Sequence, residues 1–426
     1  MTAAILAIFV LLMLAKIPIS FCLAISSALA LLIVSSTDPL VVVQRMYGSV
    51  ESFSLIAIPF FILAGGFMDS GGISRRLIAF ASSLAGHIKG GLAIISVLAA
   101  MFFSGVTGSA AADTAAIGSI LIPAMEKKGY GKDFAASVLA TAGSIGIVTP
   151  PSIPMVLLGA TVGISIGGMF LGGIVPGILI GIALMLTSWL LARARGLASE
   201  PRSTWRERWL SFRDSILALM TVVIIMGGIL TGIFTATEAS IVAAVYAFCI
   251  GMFVYRELHW EELPRIVVNA IATTGVVVLC IAAASSFGWI LAAERAPEKI
   301  TAALLTVTSD PFWTLMLMNA LMLLLGTFLD IAPIIIVVVP IIWPIAQQMG
   351  IDPIHFGVMV IVNMAIGQVT PPTGPPFFIA VSIAKCSLME IWKTYTLFTC
   401  AMIVVLVLVT AFPVLITGLP AYFLGL

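Results

Sequence analysis

Charge is what this sequence has least of. Lys, Arg, Asp and Glu make up 9% of its 426 residues, where a soluble domain carries about 25%. An ordinary soluble domain is therefore excluded. Net charge is +1, which favours no class of partner. His87, His259 and His355 lie far apart, near the edges of apolar runs, and imply no metal site. Cys22, Cys249, Cys280, Cys386 and Cys400 form no CxxC pair and read as small packing residues. No G-x-x-x-x-G-K-S/T phosphate loop occurs, so no nucleotide machinery is visible. No HExxH, Ser/His pair or metal cluster falls within the apolar runs, which argues against an intramembrane enzyme. The basic n-region of a cleaved signal peptide is missing too, so the first apolar run is expected to remain as a membrane segment.

What is there is apolar: 61% of residues are hydrophobic and mean hydropathy is +1.21. Runs of about 20 apolar residues recur throughout, the length that spans a bilayer as a helix. The fold class is an all-α polytopic membrane protein. Ala3–Val34 reads as one tilted, kinked span or as a short helix followed by a full one from Lys16; Lys16 itself reads as snorkelling to the interface. Thr37–Glu51 reads as a polar connection, Phe53–Asp69 as a span and Gly71–Lys89 as an interfacial amphipathic segment. Gly90–Met125 is apolar at both ends and polar at its centre, Ser104–Ala115, and is expected to form a re-entrant hairpin of two half-length arms. Ile164–Leu191, Ser215–Ile233, Thr237–Tyr255, Ile266–Leu291 and Thr394–Leu424 read as spans. Arg193–Asp214 and Arg256–Arg265 read as polar loops, and Ala292–Thr308 as a second interfacial segment. Trp205, Trp209 and Trp260 read as interfacial anchors.

The chain contains itself twice. SIGIVTPPSIPM (Ser144–Met155) returns 221 residues later as AIGQVTPPTGPP (Ala365–Pro376), with seven of twelve positions identical. The same offset carries Gly90–Met125 to a second hairpin, Pro311–Ala346, centred on GTFLD (Gly326–Asp330). The halves are 1–212, with hairpin 90–125 and broken helix 134–159, and 213–426, with hairpin 311–346 and broken helix 354–384. Tandem prolines inside a helix each remove a donor and clash with the carbonyl four residues back. Pro150 and Pro151 are expected to free the carbonyls of Gly146 and Ile147; Pro371 and Pro372, those of Gly367 and Gln368. A freed carbonyl in hydrocarbon costs several kcal/mol unless something satisfies it, and a cation is one candidate. A plain proline kink is the other reading for a single copy; the matched pair favours function.

Sixteen of the twenty Lys and Arg residues fall in segments that this topology places on one face, which the positive-inside rule makes cytoplasmic. The first hairpin, flanked by Lys89, Lys127 and Lys128, then enters from the cytoplasm and the second from outside. The repeats are expected to be inverted, with both tips at the midplane beside the breaks. Half-helix N-termini suit a carboxylate. Freed carbonyls and the hydroxyls of Ser104, Thr107, Ser109, Thr149, Thr327 and Thr370 suit a hard cation such as sodium. Asp113 and Asp330, in the hairpins, read either as functional carboxylates or as caps of the returning arms. Glu238 reads as a helix cap rather than an ion ligand.

GSAAADTAAIGSILIPAM (Gly108–Met125), GIVTPPS (Gly146–Ser152), GTFLDIAP (Gly326–Pro333) and GQVTPPTGPPFF (Gly367–Phe378) together resemble the large membrane subunit of tripartite ATP-independent periplasmic (TRAP) transporters, over essentially the whole chain. The resemblance implies sodium-coupled import of an organic anion, such as a C4-dicarboxylate or sialic acid, across the bacterial inner membrane, with no other cofactor. It implies a periplasmic substrate-binding protein and a small four-helix membrane subunit as partners, the latter separate because no N-terminal extension is long enough to contain it. It also implies an elevator-type fold, with the hairpins and broken helices moving against a scaffold of the other spans. Carried onto this chain, sodium-binding roles fall at Ser104, Gly105, Gly108, Ser109, Gly146, Thr149, Pro150, Gly326, Thr327, Gly367, Thr370 and Pro371. The substrate region falls at Thr107, Asp113, Asp330, Pro151, Pro372 and Thr373. A stand-alone ion-coupled carrier needing no binding protein is the alternative. A channel is disfavoured, because polar residues concentrate at the tips instead of lining a path.

Overall fold

A computed structural model describes residues 2–34, 38–85, 88–107, 109–197, 204–295, 308, 310–372 and 374–425. No strand occurs among them. The first apolar run is two helices, α1 (Thr2–Leu14) and α2 (Ile19–Val34), parted where Lys16 takes a left-handed φ of 61° just before Pro18. The expected polar connection Thr37–Glu51 instead contains a helix, α3 (Leu40–Val50). Its Val42 turns inward while Gln44, Arg45 and Tyr47 face out, so the helix is amphipathic and short, and its polar residues hid its period. A 3-10 turn (Phe53–Ile56) leads into α4 (Ala57–Ser70), then α5 (Ile73–Ala85), α6 (Gly91–Thr107) and α7 (Ala110–Lys127). The first broken helix is α8 (Lys132–Gly143) with α9 (Ile145–Val148), then α10 (Ile153–Val162), bent by 42°.

The long spans follow: α11 (Ile166–Ala194), α12 (Trp205–Leu230), α13 (Ala236–Cys249, continued through Ile250–Val254) and α14 (Leu263–Ala293). The stretch expected to be a charged loop up to Asp214 is helical from Trp205. Thr204 caps it, its Oγ1 accepting from Glu207 N at 3.3 Å while Glu207 Oε2 accepts from Thr204 N at 2.7 Å. Its charges therefore decorate a helix that leaves the apolar layer. Likewise Arg256–Arg265 holds a 3-10 turn, Trp260–Glu262, and the start of α14. The segment Ala292–Thr308 lies largely outside the described residues, as does His87. Then come α15 (Pro311–Gly326) and α16 (Ile331–Gln348), α17 (Pro353–Gly367) and α18 (Pro375–Ala384), α19 (Leu388–Ala411) and α20 (Val414–Leu424). The last run is thus two helices, parted at Phe412–Pro413. Among the described residues, six helices are long and apolar enough to cross a membrane, or up to eight if each bent pair counts as one.

Helix ends follow the 221-residue offset: adding 221 to Ala110 and Lys127, the ends of α7, lands on Ile331 and Gln348, the ends of α16. The hairpin arms are longer than the expected half-length. α6, α7 and α15 have 17, 18 and 16 residues, about 24–27 Å at 1.5 Å per residue.

The centre of the molecule is made by the first halves of the broken helices. Every residue from Phe134 to Val148, and from Ile354 to Gly367, is buried. A helix apolar all round must be enclosed by other helices. α8 is covered by α7, α18, α19 and α6, and α17 by α15, α11 and α19. A second group packs to the side, with α14 on α2, α3 and α4, α13 on α4 and α12, and α12 on α5. α5 is pinned there. Arg76 Nη1 donates to Glu257 Oε1 and to the Gly72 carbonyl, both at 2.8 Å, and its guanidinium lies 3.6 Å from the Tyr255 ring centroid.

One close approach of two backbones leaves little room for a side chain. A Cβ on Gly367 would stand 3.0 Å from Gly326 Cα, and one on Gly326 would stand 3.1 Å from Gly367 Cα. The second hairpin touches the second broken helix backbone to backbone. Gly367→Ala is expected to lower the melting temperature of the purified protein by several degrees. Gly227→Ala, where the added atom meets nothing within 4 Å, is expected to leave it unchanged or raise it.

Candidate functional site

The two breaks are closed by local chemistry. At the first, Ser152 Oγ donates to the Ile147 carbonyl at 2.5 Å and caps α10 by accepting from Met155 N at 3.5 Å. At the second, Thr370 N donates to the Gly367 carbonyl at 3.0 Å and Thr370 Oγ1 to the Ile366 carbonyl at 2.7 Å. The Tyr395 hydroxyl, from α19, donates to the Val369 carbonyl. Two of the four carbonyls expected to be freed, those of Ile147 and Gly367, are therefore taken by protein donors. The peptide bonds Pro150–Pro151 and Pro371–Pro372 are both cis.

The hairpin tips match one another as well. Ser109 caps α7, its Oγ accepting from Ala112 N at 3.4 Å. Asp330, 221 residues on, caps α16, its Oδ1 accepting from Ile331 N at 2.8 Å and from Gln368 Nε2. The capping reading thus holds for Asp330. Asp113 sits fully buried in the first turn of α7, where Ser109 is the N-cap, with its own N–H on the Ser109 carbonyl at 3.0 Å. Glu238 is a cap: its Oε2 accepts from Thr235 N at 2.8 Å.

These parts surround a cavity of about 420 Å³. Four helix N-termini reach it: α7 at Ala110–Ala112, α10 at Ile153 and Pro154, α16 at Ile331 and Ala332, and α18 at Pro375. Each presents the positive end of its dipole, about half an elementary charge. Pro154, Pro375 and Pro376 carry no N–H, so α7, α16 and the first residue of α10 supply the amides. The opposite wall comes from the side group of helices, Gly65, Gly66 and Asp69 on α4 and Thr273 on α14.

Of the predicted residues, Ser109 and Asp330 line this cavity. Thr149 turns to α11, where a Cβ on Gly177 would meet its Oγ1 at 2.9 Å. Pro150 and Pro151 form the break beside it, and Gly146 is buried in α9. Thr327 Oγ1 bonds the Leu324 carbonyl at 2.7 Å. Gly326 and Gly367 make the close contact above, and Pro371 and Pro372 are partly exposed at the second break. Ser104, Gly105 and Thr107 form the last turn of α6; Gly108 and Thr373 lie outside the described residues. Sequence reasoning missed Asp69, Gln368 and Thr273. Asp69 had a signal, as a carboxylate closing an apolar run. Gln368 had another: it replaces Ile147 in an otherwise matched motif. Behind the second break, Asn363 Nδ2 donates to the Asn319 carbonyl and Oδ1, both at 2.9 Å, and Asn319 Nδ2 donates to Thr410 Oγ1 at 3.0 Å. This tie joins α17, α15 and α19. Among the described residues no group of three or more His, Cys, Asp or Glu is placed to hold a metal.

A helical membrane body with a mainly apolar-walled cavity at four converging helix ends has the build of a solute permease. The family described as tripartite ATP-independent periplasmic transporter, DctM component, matches residues 6–415, and the chain belongs to it. It is 38% identical to the sialic acid TRAP transporter large permease protein of Vibrio cholerae over 97% of each chain. It is 39% identical to the C4-dicarboxylate TRAP transporter large permease protein of Pseudomonas aeruginosa over 93% of each. To the 2,3-diketo-L-gulonate TRAP transporter large permease protein of Escherichia coli the identity is 37%, over 86% of this chain and 87% of that one. These relatives are permeases rather than enzymes, which agrees with the expectation of transport.

Removing the Ser152 hydroxyl would leave the buried Ile147 carbonyl without its donor, a loss of about 1–3 kcal/mol. Ser152→Ala is expected to destabilise the protein by that amount in thermal or denaturant unfolding, and Ser152→Thr, the residue type at the paired position 373, to restore most of it.

Proposed function

We propose that this chain is the large membrane subunit of a sodium-coupled importer of an organic anion in the bacterial inner membrane. It works with a small four-helix membrane subunit and a periplasmic binding protein that delivers the substrate. The observation that carries this reading is the convergence of four helix N-termini on one cavity at the paired hairpin tips and breaks. That arrangement favours a carboxylate or another small anion without a basic side chain. The related permeases are named for sialic acid, a C4-dicarboxylate and a diketo sugar acid, and all of these carry carboxylates.

Sodium would sit at the outer edges of the same constellation, at the breaks and tips assigned above. Thr149 Oγ1 supports this at the first break: it is buried and has no hydrogen-bond partner, a hydroxyl oxygen placed for a hard cation. The central group, hairpins plus broken helices, would travel against α4, α12, α13 and α14 and carry the cavity from one face to the other. The inverted repeats would let one architecture open to each side. The cavity lies between the two groups, so sliding one past the other would change its access without dismantling it.

The test is uptake into proteoliposomes holding both membrane subunits, with the loaded binding protein outside and an inward sodium gradient. Uptake is expected to need all three components and the gradient. Thr149→Ala is expected to raise the sodium concentration for half-maximal uptake at least ~10-fold, about 1.4 kcal/mol. Sodium dependence unchanged in both Thr149→Ala and Thr370→Ala would overturn the assignment of these hydroxyls.

A further inference from the structure

A second cavity, of about 650 Å³, lies between α3 and α14, away from the breaks and tips. Gln44, Arg45, Gly48 and Ser49 line it from one face of α3. Ser285 and Trp289, one turn apart on α14, line it from the other side. The Arg45 guanidinium carbon lies over the Trp289 ring, 5.2 Å from its centre. Among the described residues, no Asp or Glu lines this cavity or pairs with Arg45. The Ser49 and Ser285 hydroxyls already donate, to the Met46 carbonyl at 2.9 Å and the Arg45 carbonyl at 3.4 Å. The donors left for a ligand are the Arg45 guanidinium, the Gln44 amide and the Trp289 indole N–H.

The height of this cavity in the membrane follows from the length of α14. The helix has 31 residues, about 46 Å at 1.5 Å per residue, against a hydrocarbon core of about 30 Å. Arg265 stands in its first turn, and an exposed charge there belongs outside the hydrocarbon. Ser285 lies about 30 Å further along the helix, so Ser285 and Trp289 stand at the opposite boundary. That is the headgroup level, where Trp and Tyr are enriched. α3 adds an apolar flank. Leu40, Val43 and Tyr47 are exposed, and Leu40 and Tyr47 stand four before and three after Gln44, so the stripe borders the cavity. A small soluble anion would use the donors and leave this stripe bare. A lipid uses both.

We infer that the cavity between α3 and α14 binds the headgroup of an anionic phospholipid, with Arg45 on its phosphate and an acyl chain against Leu40, Val43 and Tyr47. Arginine presents paired N–H groups to a phosphate, and a guanidinium lying over an aromatic face keeps those in-plane donors free. With no lining carboxylate, nothing pairs with the ammonium of a zwitterionic headgroup, so a headgroup of net negative charge is preferred. A lipid held here would clamp α3 to α14, whose Thr273 and Val277 line the central cavity. It would thereby fasten that wall to the bilayer. The inference does not depend on what the central cavity carries.

The test titrates the detergent-solubilised chain, with its small subunit, against dioctanoyl phosphatidylglycerol, dioctanoyl phosphatidylcholine and inorganic phosphate, each followed by thermal shift. Phosphatidylglycerol is expected to bind saturably and at least ~10-fold more tightly than either of the others. Arg45→Gln is expected to weaken it by ~10-fold, and Arg265→Gln, at the far end of α14, to leave it unchanged. Arg45 is exposed, so its variant is expected to melt as the unaltered protein does when no lipid is added. Phosphatidylcholine binding as tightly as phosphatidylglycerol would overturn the preference for an anionic headgroup. Inorganic phosphate binding as tightly would overturn a lipid as the occupant. Neither comparison needs a variant. Phosphatidylglycerol binding unmoved by Arg45→Gln would overturn the site itself. If that variant instead raised only the concentration of binding protein giving half-maximal uptake, the cavity would be a seat for that protein and the lipid assignment would fall.

Discussion

A polypeptide that interrupts its own helix inside an apolar body must satisfy the backbone groups it exposes, and the rest of this structure is arranged around that constraint. An unpaired carbonyl in such surroundings costs several kcal/mol. The two breaks answer it with different chemistry despite their matched sequences. At the first, Ser152 reaches back to Ile147, and α11 comes so close that a Cβ on Gly173 would stand 2.7 Å from the Val148 carbonyl. At the second, the residue 221 positions beyond Gly173 is Thr394, and its neighbour Tyr395 brings a phenol to the Val369 carbonyl. Support comes from a bare backbone on one side and from a hydroxyl on a ring on the other. Around both, Phe134–Val148 and Ile354–Gly367 are enclosed, with the hairpins and the paired spans α11 and α19 packed about them.

The same interruptions create the electrostatics of the site. A helix that stops and restarts inside the protein yields a fresh N-terminus, and each returning hairpin arm yields another. Four such ends meet at one cavity within an apolar body, where each partial charge is less screened than in bulk water. The helix caps take part as well. Ser109 and Asp330 occupy equivalent positions at the two tips, one neutral and one acidic, so the cavity is not symmetric even though its framework is. Gln368 opposite Ile147 adds to that asymmetry. The framework is what the two halves share; these departures between them fall at the cavity.

The frame was legible in the sequence because its cause is local. Tandem prolines, glycines at tips and a constant offset place the breaks and hairpins to within a residue or two, as Ala110–Lys127 and Ile331–Gln348 show. Periodicity was less informative where polar residues interrupt a short amphipathic helix, as at Gln44 and Arg45 in α3, or coat a helix outside the apolar layer, as between Trp205 and Asp214 in α12. The site was legible in part. Ser109 and Asp330 could be named because they sit at the tips. Asp69 carried only the signal of a carboxylate closing an apolar run, and Thr273 carried none, because it reaches the cavity through the packing of α14, a long-range contact that no motif encodes. At the first tip the cap that could be read off the structure is Ser109, with Asp113 buried one turn further in.

The central claim is that an anion binds where the N-termini of α7, α10, α16 and α18 converge. The most direct measurement is an experimental structure of the complex with a bromine-labelled carboxylate ligand, with the bromine located by its anomalous signal. The account expects the carboxylate within hydrogen-bonding distance of the Ala110 and Ala111 amides, with the bromine inside the cavity bounded by Asp69 and Asp330. A ligand found instead in the cavity between α3 and α14, beside Arg45 and Trp289, with the central one empty, would contradict it.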